Sequence, residues 1–122
     1  MATTPASGIA SLSSAGTSCL WPSDNIVYVG STNGVLSEID FRKPGKSVAE
    51  RRLGSKIRRI RLSGDSLIIV TESSTVTVLD EGTLTDEKTF ELNEVVRDAQ
   101  VQNGRLLTVG LNSTEIGIHL LR

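Results

Sequence analysis

Two side chains in this 122-residue sequence have the types that nucleophilic catalysis needs, the thiol of Cys19 and the imidazole of His119. Their settings argue for other roles. Cys19 lies in a short alternating stretch with Trp21, where a free thiol behaves as a small buried hydrophobe. His119 stands between Ile118 and Leu120, so in a strand it faces away from them, toward a surface or an interface. The carboxylate pairs Asp80-Glu81 and Asp86-Glu87 have the type for general acid–base work, but they fall at expected strand ends and loops, where exposed charge is the rule. One Cys and one His leave no multi-cysteine zinc site and no paired-His metal site. Neither Gly-x-x-x-x-Gly-Lys nor Gly-x-Gly-x-x-Gly occurs. The expectation is no enzyme, no cofactor, no metal and no small-molecule substrate. Asn112-Ser113-Thr114 is a glycosylation sequon of the kind that chance supplies in a cytosolic chain.

The sharpest chemical feature is charge. Net charge is −1, yet the residues before Arg42 carry −3, those from Arg42 to Arg61 carry +8, and those from Leu62 onward carry −6. Poles of opposite sign suit a charge-steered contact, with a solvated rim as the plainer reading. Within the basic pole, Arg51, Arg52, Lys56, Arg58, Arg59 and Arg61 are the candidate partner-binding residues. In a strand, Arg59 and Arg61 point opposite to Ile60 and Leu62. An acidic protein surface is the partner this pole fits, and an anionic membrane the alternative. A pI of 5.8 and 3% aromatic residues argue against nucleic acid. No apolar run approaches a membrane span, and the first residues lack a basic and apolar leader pattern, so the expectation is an intracellular chain, cytoplasmic or nuclear.

The elements that must position these residues read as strands. Ile26–Val29, Leu67–Val70 and Leu106–Val109 are β-branched or aliphatic runs, each preceded by turn chemistry such as Ser63-Gly64-Asp65-Ser66 and Gln102-Asn103-Gly104-Arg105. Each is followed by a polar turn and renewed alternation: Val35 to Ile39, Val76-x-Val78, and Ile116-x-Ile118-x-Leu120. The runs begin at 26, 67 and 106, a period near forty that marks an internal repeat. Seven and five residues before each run lie Cys19 and Trp21, Ile60 and Leu62, Ala99 and Val101, the buried side of a preceding strand. These six are expected in the core, with Ile26, Tyr28, Leu67, Ile69, Leu106 and Thr108 on the neighbouring strands. Leu92, Val95, Val96 and Ala99 also fit a helical period, but three aligned copies favour strand. Ser47–Leu53 and Glu87–Leu92 supply a fourth strand in the first two copies. The third copy ends before one.

The segment from Gly30 through Asn33-Gly34 and Val35 to Ile39-Asp40-Phe41-Arg42 resembles the WD-repeat β-propeller family. Ile39 stands where that family has Trp, while Asp40 and Arg42 match its W-D-x-R; the second copy keeps Asp80, and the third keeps neither. No Gly-His dipeptide precedes the first strand of any copy. The resemblance covers residues 17–122. It implies an all-β fold of propeller-type blades of antiparallel strands, about three repeats at 17–55, 56–94 and 95–122, forming an incomplete ring behind an N-terminal arm at 1–16.

Propellers close with about four to eight blades. The resemblance therefore implies a non-enzymatic protein-interaction scaffold, completed by a second copy or by a partner chain, or a piece of a longer propeller. Ser7–Ser13 is the expected closing strand. Two alternatives follow from the same resemblance. One is an anionic-lipid (phosphoinositide) recruitment module, since Arg51-Arg52-Leu53-Gly54 echoes the Phe-Arg-Arg-Gly motif of lipid-binding propellers. The other is a ubiquitin-ligase substrate receptor, through the degraded motif at Asp40 and Arg42.

Overall fold

The computed structural model describes residue 12, residues 14–43 and residues 47–121. Among them are eleven strands: β1 (Gly16–Leu20), β2 (Ile26–Ser31), β3 (Val35–Asp40), β4 (Ser47–Arg52), β5 (Ile57–Ser63), β6 (Ser66–Thr71), β7 (Thr75–Asp80), β8 (Asp86–Glu91), β9 (Val96–Gln102), β10 (Arg105–Gly110) and β11 (Ile116–Leu120). They form three antiparallel meanders, β1-β2-β3-β4, β5-β6-β7-β8 and β9-β10-β11. The all-β, three-repeat architecture expected from the period is therefore present, and the third sheet has three strands. The arm expected at 1–16 and its closing strand at Ser7–Ser13 fall almost wholly outside the described residues.

Local chemistry explains the turns. Asn103 and Gly104 connect β9 to β10 with φ of 51° and 72°, as a type I′ hairpin requires at both central positions. Gly64, with φ 58°, fills the first central position between the paired Ser63 and Ser66. The first sheet joins β1 to β2 by a longer loop, Trp21 to Asn25.

That loop changes the register. Ile60 pairs with Ile69 and Ala99 with Thr108, but Cys19 pairs with Val29. The first hairpin is one residue longer than the other two. A one-residue slip exchanges the faces of a strand, so Val27 and Val29, rather than Ile26 and Tyr28, hold the positions of Leu67 and Ile69. Tyr28 is buried, but on the opposite side of its sheet, against the second one.

The second sheet lies between the other two. Its Ile57, Ile60, Leu67, Ile69 and Leu79 form one core with Tyr28 and Leu36. Its Ile68, Val70, Val76, Val78 and Phe90 form another with Val96, Ala99 and Leu106. Burial on both faces is why Leu67-Ile68-Ile69-Val70 reads as a continuous apolar run. Gly30 lets the first sheet approach, because a Cβ there would stand 2.5 Å from Ile57 Cγ2.

The core expected from the sequence needs correction at both ends of this stack. Ile60, Leu67, Ile69, Ala99, Leu106 and Thr108 are buried. Cys19 is exposed and Trp21 is 67% exposed. They sit on a face of the first sheet that, among the described residues, no other sheet covers, so alternation alone does not bury them. Leu62, at the end of β5, is 37% exposed. Val101 and Ile26 are half-buried. Further out on the first sheet, Val35 and Ile39 are buried, and Leu12 stands close to Gly16 and Val29.

Candidate functional site

The first strands of the three sheets lie side by side. Thr17 Oγ1 donates to the Ile57 carbonyl, and Ser63 Oγ donates to that of Val101. Each strand carries a bulge at the same repeat position, at Thr17, Arg58 and Arg97, where pairing with the next strand skips a residue. The bulge turns Arg58 and Arg59 both outward, between the buried Ile57 and Ile60.

The six basic candidates do not form one patch. Arg51 and Arg52 end β4, the outer edge of the first sheet, opposite Leu36 and Val35. Arg58, Arg59 and Arg61 lie on β5, the inner edge of the second. The chain crosses from one edge to the other through the turn that holds Lys56, whose carbonyl accepts from the Glu72 amide. Residues adjacent in sequence are thus separated by the width of a blade. Arg61 grips Asp98 of β9 as a fork, Nε to Oδ1 at 2.6 Å and Nη2 to Oδ2 at 2.7 Å. Arg59 Nη1 lies 3.8 Å from the same carboxylate. The positive and negative poles of the sequence therefore meet within the chain at this seam. Ser18, Cys19, Arg58 and Arg59 border an open groove of about 460 Å³ between β1 and β5.

Asp40 and Arg42 close on each other. Asp40 Oδ1 accepts from the Arg42 amide and Nε, each at 2.9 Å, and Oδ2 accepts from Nη2 at 2.8 Å. The Arg42 side chain and amide hold the Asp40 carboxyl down at about 2. Its equivalent, Asp80, accepts from the Gly82 amide at 2.8 Å and so caps the next turn. Both acids organise the chain as it leaves a third strand.

Cys19 and His119 stand on different sheets. The His119 ring lies 5.6 Å from that of Phe90, and its Nε2 is 3.4 Å from Thr108 Oγ1. It faces the second sheet, which leaves Ile118 and Leu120 in the open. The Tyr28 hydroxyl donates to the Glu81 carbonyl at 3.3 Å. Burial, then the nearby Glu38 and Glu81 carboxylates, push its pKa up from the ordinary tyrosine value. Among the described residues no group of His, Cys, Asp and Glu converges on a metal position. The side chains of Asp86 and Glu87 lie outside the described atoms.

What residue-by-residue reading missed is the far face of the third sheet. Ile68 pairs with Val78 and Val70 with Val76 in the second sheet. Leu107 pairs with Ile118 and Val109 with Ile116 at the same positions in the third. The first four are fully buried; Leu107, Val109, Ile116 and Ile118 are exposed, with Ile118 at 67%. Leu120 extends the patch, and among the described residues β11 is the last strand of its sheet. The alternation was legible, but whether another sheet covers it is no property of the local sequence. At the opposite end of the stack, Trp21 and Phe41 make a second exposed apolar feature, edge to face with ring centroids 6.0 Å apart.

No family model matches the chain, and no curated protein does. Solved structures share its fold. The computationally designed Ika4 protein is similar with a TM-score of 0.75 and 19% identity over 96% of this chain and 75% of that one. The β-propeller domain of Myceliophteria thermophila Cps50 (Swd1) is similar with a TM-score of 0.70 and 14% identity over 89% of this chain. Sqt1 of Saccharomyces cerevisiae gives 0.71 and 17% over 84%. The chain spans 38% of the Swd1 domain and 32% of Sqt1. The three sheets are propeller-type blades in an unclosed array.

Proposed function

We propose that this chain is a non-enzymatic, intracellular protein-interaction scaffold of WD-like blades, whose array is completed by another chain. The observation that carries the reading is the far face of the third blade. Leu107, Val109, Ile116 and Ile118 repeat the positions that are fully buried in the second blade, and they stand open. Monomers rarely leave a contiguous apolar patch of this kind beside an open strand edge unless it is an interaction site. Arg61 and Arg59 being drawn to Asp98 favours this reading over lipid recruitment by the basic stretch.

The test compares the full chain with an Ile116→Glu/Ile118→Glu variant in protein capture and in co-sedimentation with phosphatidylserine vesicles. Both side chains are exposed, so the variant keeps its fold. The expected result is at least about tenfold weaker protein association for the variant, with no vesicle binding by either form. Salt-sensitive vesicle binding by both forms, with no protein association, overturns the scaffold in favour of a lipid-recruitment module.

A further inference from the structure

We infer that the chain completing this array is a second copy, joined head to tail: the open face of the third blade seats on β1 of its partner, and two such junctions close a ring. The inference rests on the scaffold reading and names its partner.

The argument is positional. Within the chain, each blade covers the one before it mainly with its first strand. β5 packs on β1 and β2, and β9 packs on β6 and β7. On β9 the covering residues are Val96 and Ala99, with Val101 partly buried behind them. Their equivalents on β1 are Gly16, beside which Leu12 stands, and the exposed Cys19 and Trp21. Among the described residues, each chain thus carries an exposed giving face, around Leu107 and Ile118, and a receiving strand, β1, whose Cys19 and Trp21 are exposed. The part of the first blade that is already buried, Val35 and Ile39, lies two strands further out.

Charge agrees. At the seam between the second and third blades, Arg61 meets Asp98. At the proposed junction the matching positions are Gln100 and Ser18, a neutral polar pair that traps no unpaired ion. Two identical junctions related by a two-fold axis cover both exposed faces, whereas a head-to-tail contact that failed to close would grow a filament.

The experiment uses the full chain at tens of micromolar. Sedimentation is expected to give twice the monomer mass of 13.1 kDa. The Ile118→Glu variant is expected to dissociate at least about tenfold more readily, while melting as the parent does at dilutions where both are monomeric. A Leu107→Cys variant fixes the geometry, because position 107 corresponds to Ile68, which shares a cluster with Ala99, the equivalent of Cys19. Under mild oxidation it should form a Cys19-to-107 bridge between chains, identified by peptide mass. A 107-to-107 bridge overturns the head-to-tail ring in favour of a face-to-face dimer. A parent chain that stays monomeric overturns the second copy. In that case the scaffold reading stands if Ile118→Glu still abolishes capture of another protein, and falls with it if the variant changes nothing.

Discussion

Asp40 and Gly30 show how much one side chain, or its absence, decides here. The Asp40 carboxyl is held at about 2, first by the hydrogen bonds from Arg42. A depressed folded-state pKa adds stability above the unfolded value near 4, and that stability is lost as pH falls toward 2. The parent should therefore lose more melting temperature than Asp40→Asn between pH 4 and pH 2. Replacing Arg42 by Ala should move the Asp40 carboxyl midpoint, followed by NMR, back up toward 3.8. A midpoint that stays near 2 would assign the shift to something other than the guanidinium. Gly30 makes a steric demand. A methyl there meets Ile57 Cγ2 at 2.5 Å and Cβ at 2.8 Å, in a core with no room to give. Gly30→Ala should cost about 1–3 kcal/mol in urea unfolding, and the added change Ile57→Val should recover part of the loss.

At the level of strands, position in the stack outweighs residue type. Leu67 on β6 is fully buried, while Leu62 on the adjacent β5 is 37% exposed. Leu67→Ala should cost about 2–5 kcal/mol, and Leu62→Ala about 1 kcal/mol or less, measured by the same denaturant titration. Equal losses would mean that β5 and β6 are buried alike. The seam between β5 and β9 is polar instead of apolar. Arg61 and Asp98 are each about one-third exposed, 35% and 29% by side chain, so solvent screens the fork. A double-mutant cycle on Arg61→Ala and Asp98→Ala should return a coupling of about 1 kcal/mol, and additive losses would remove the pin between the two blades.

For the whole molecule, stability should grade from the middle blade outward. β6 and β7 are enclosed on both faces, while β11, among the described residues, has one paired neighbour and an exposed apolar side. Native-state hydrogen exchange should find the slowest amides on β6 and the fastest strand amides on β11. Raising the concentration into the range where the chain associates should slow β10 and β11 most, because the far face of the third blade is then covered. Uniform slowing across all three blades, or none, would place the association elsewhere.

The sequence by itself determined the strands, their turns and their repetition, because these follow from local rules. Asn103-Gly104 and Gly64 can adopt the backbone angles a hairpin needs, β-branched alternation favours a pleated strand, and a period near forty repeats the unit. Tertiary structure decided which side of each sheet is buried and which charges meet. The pattern Leu107, Val109, Ile116, Ile118 is locally the same as Ile68, Val70, Val76, Val78, yet only the second set has a blade against it. Cys19 and Trp21 alternate like Ile60 and Leu62, but among the described residues no sheet lies against their face. Tyr28 changed faces because one loop is a residue longer, and the basic stretch divided because the chain crosses a blade between Arg52 and Arg58. Burial depends on neighbours distant in sequence, and periodicity reports only that a side chain is able to be buried, not that something lies there to cover it.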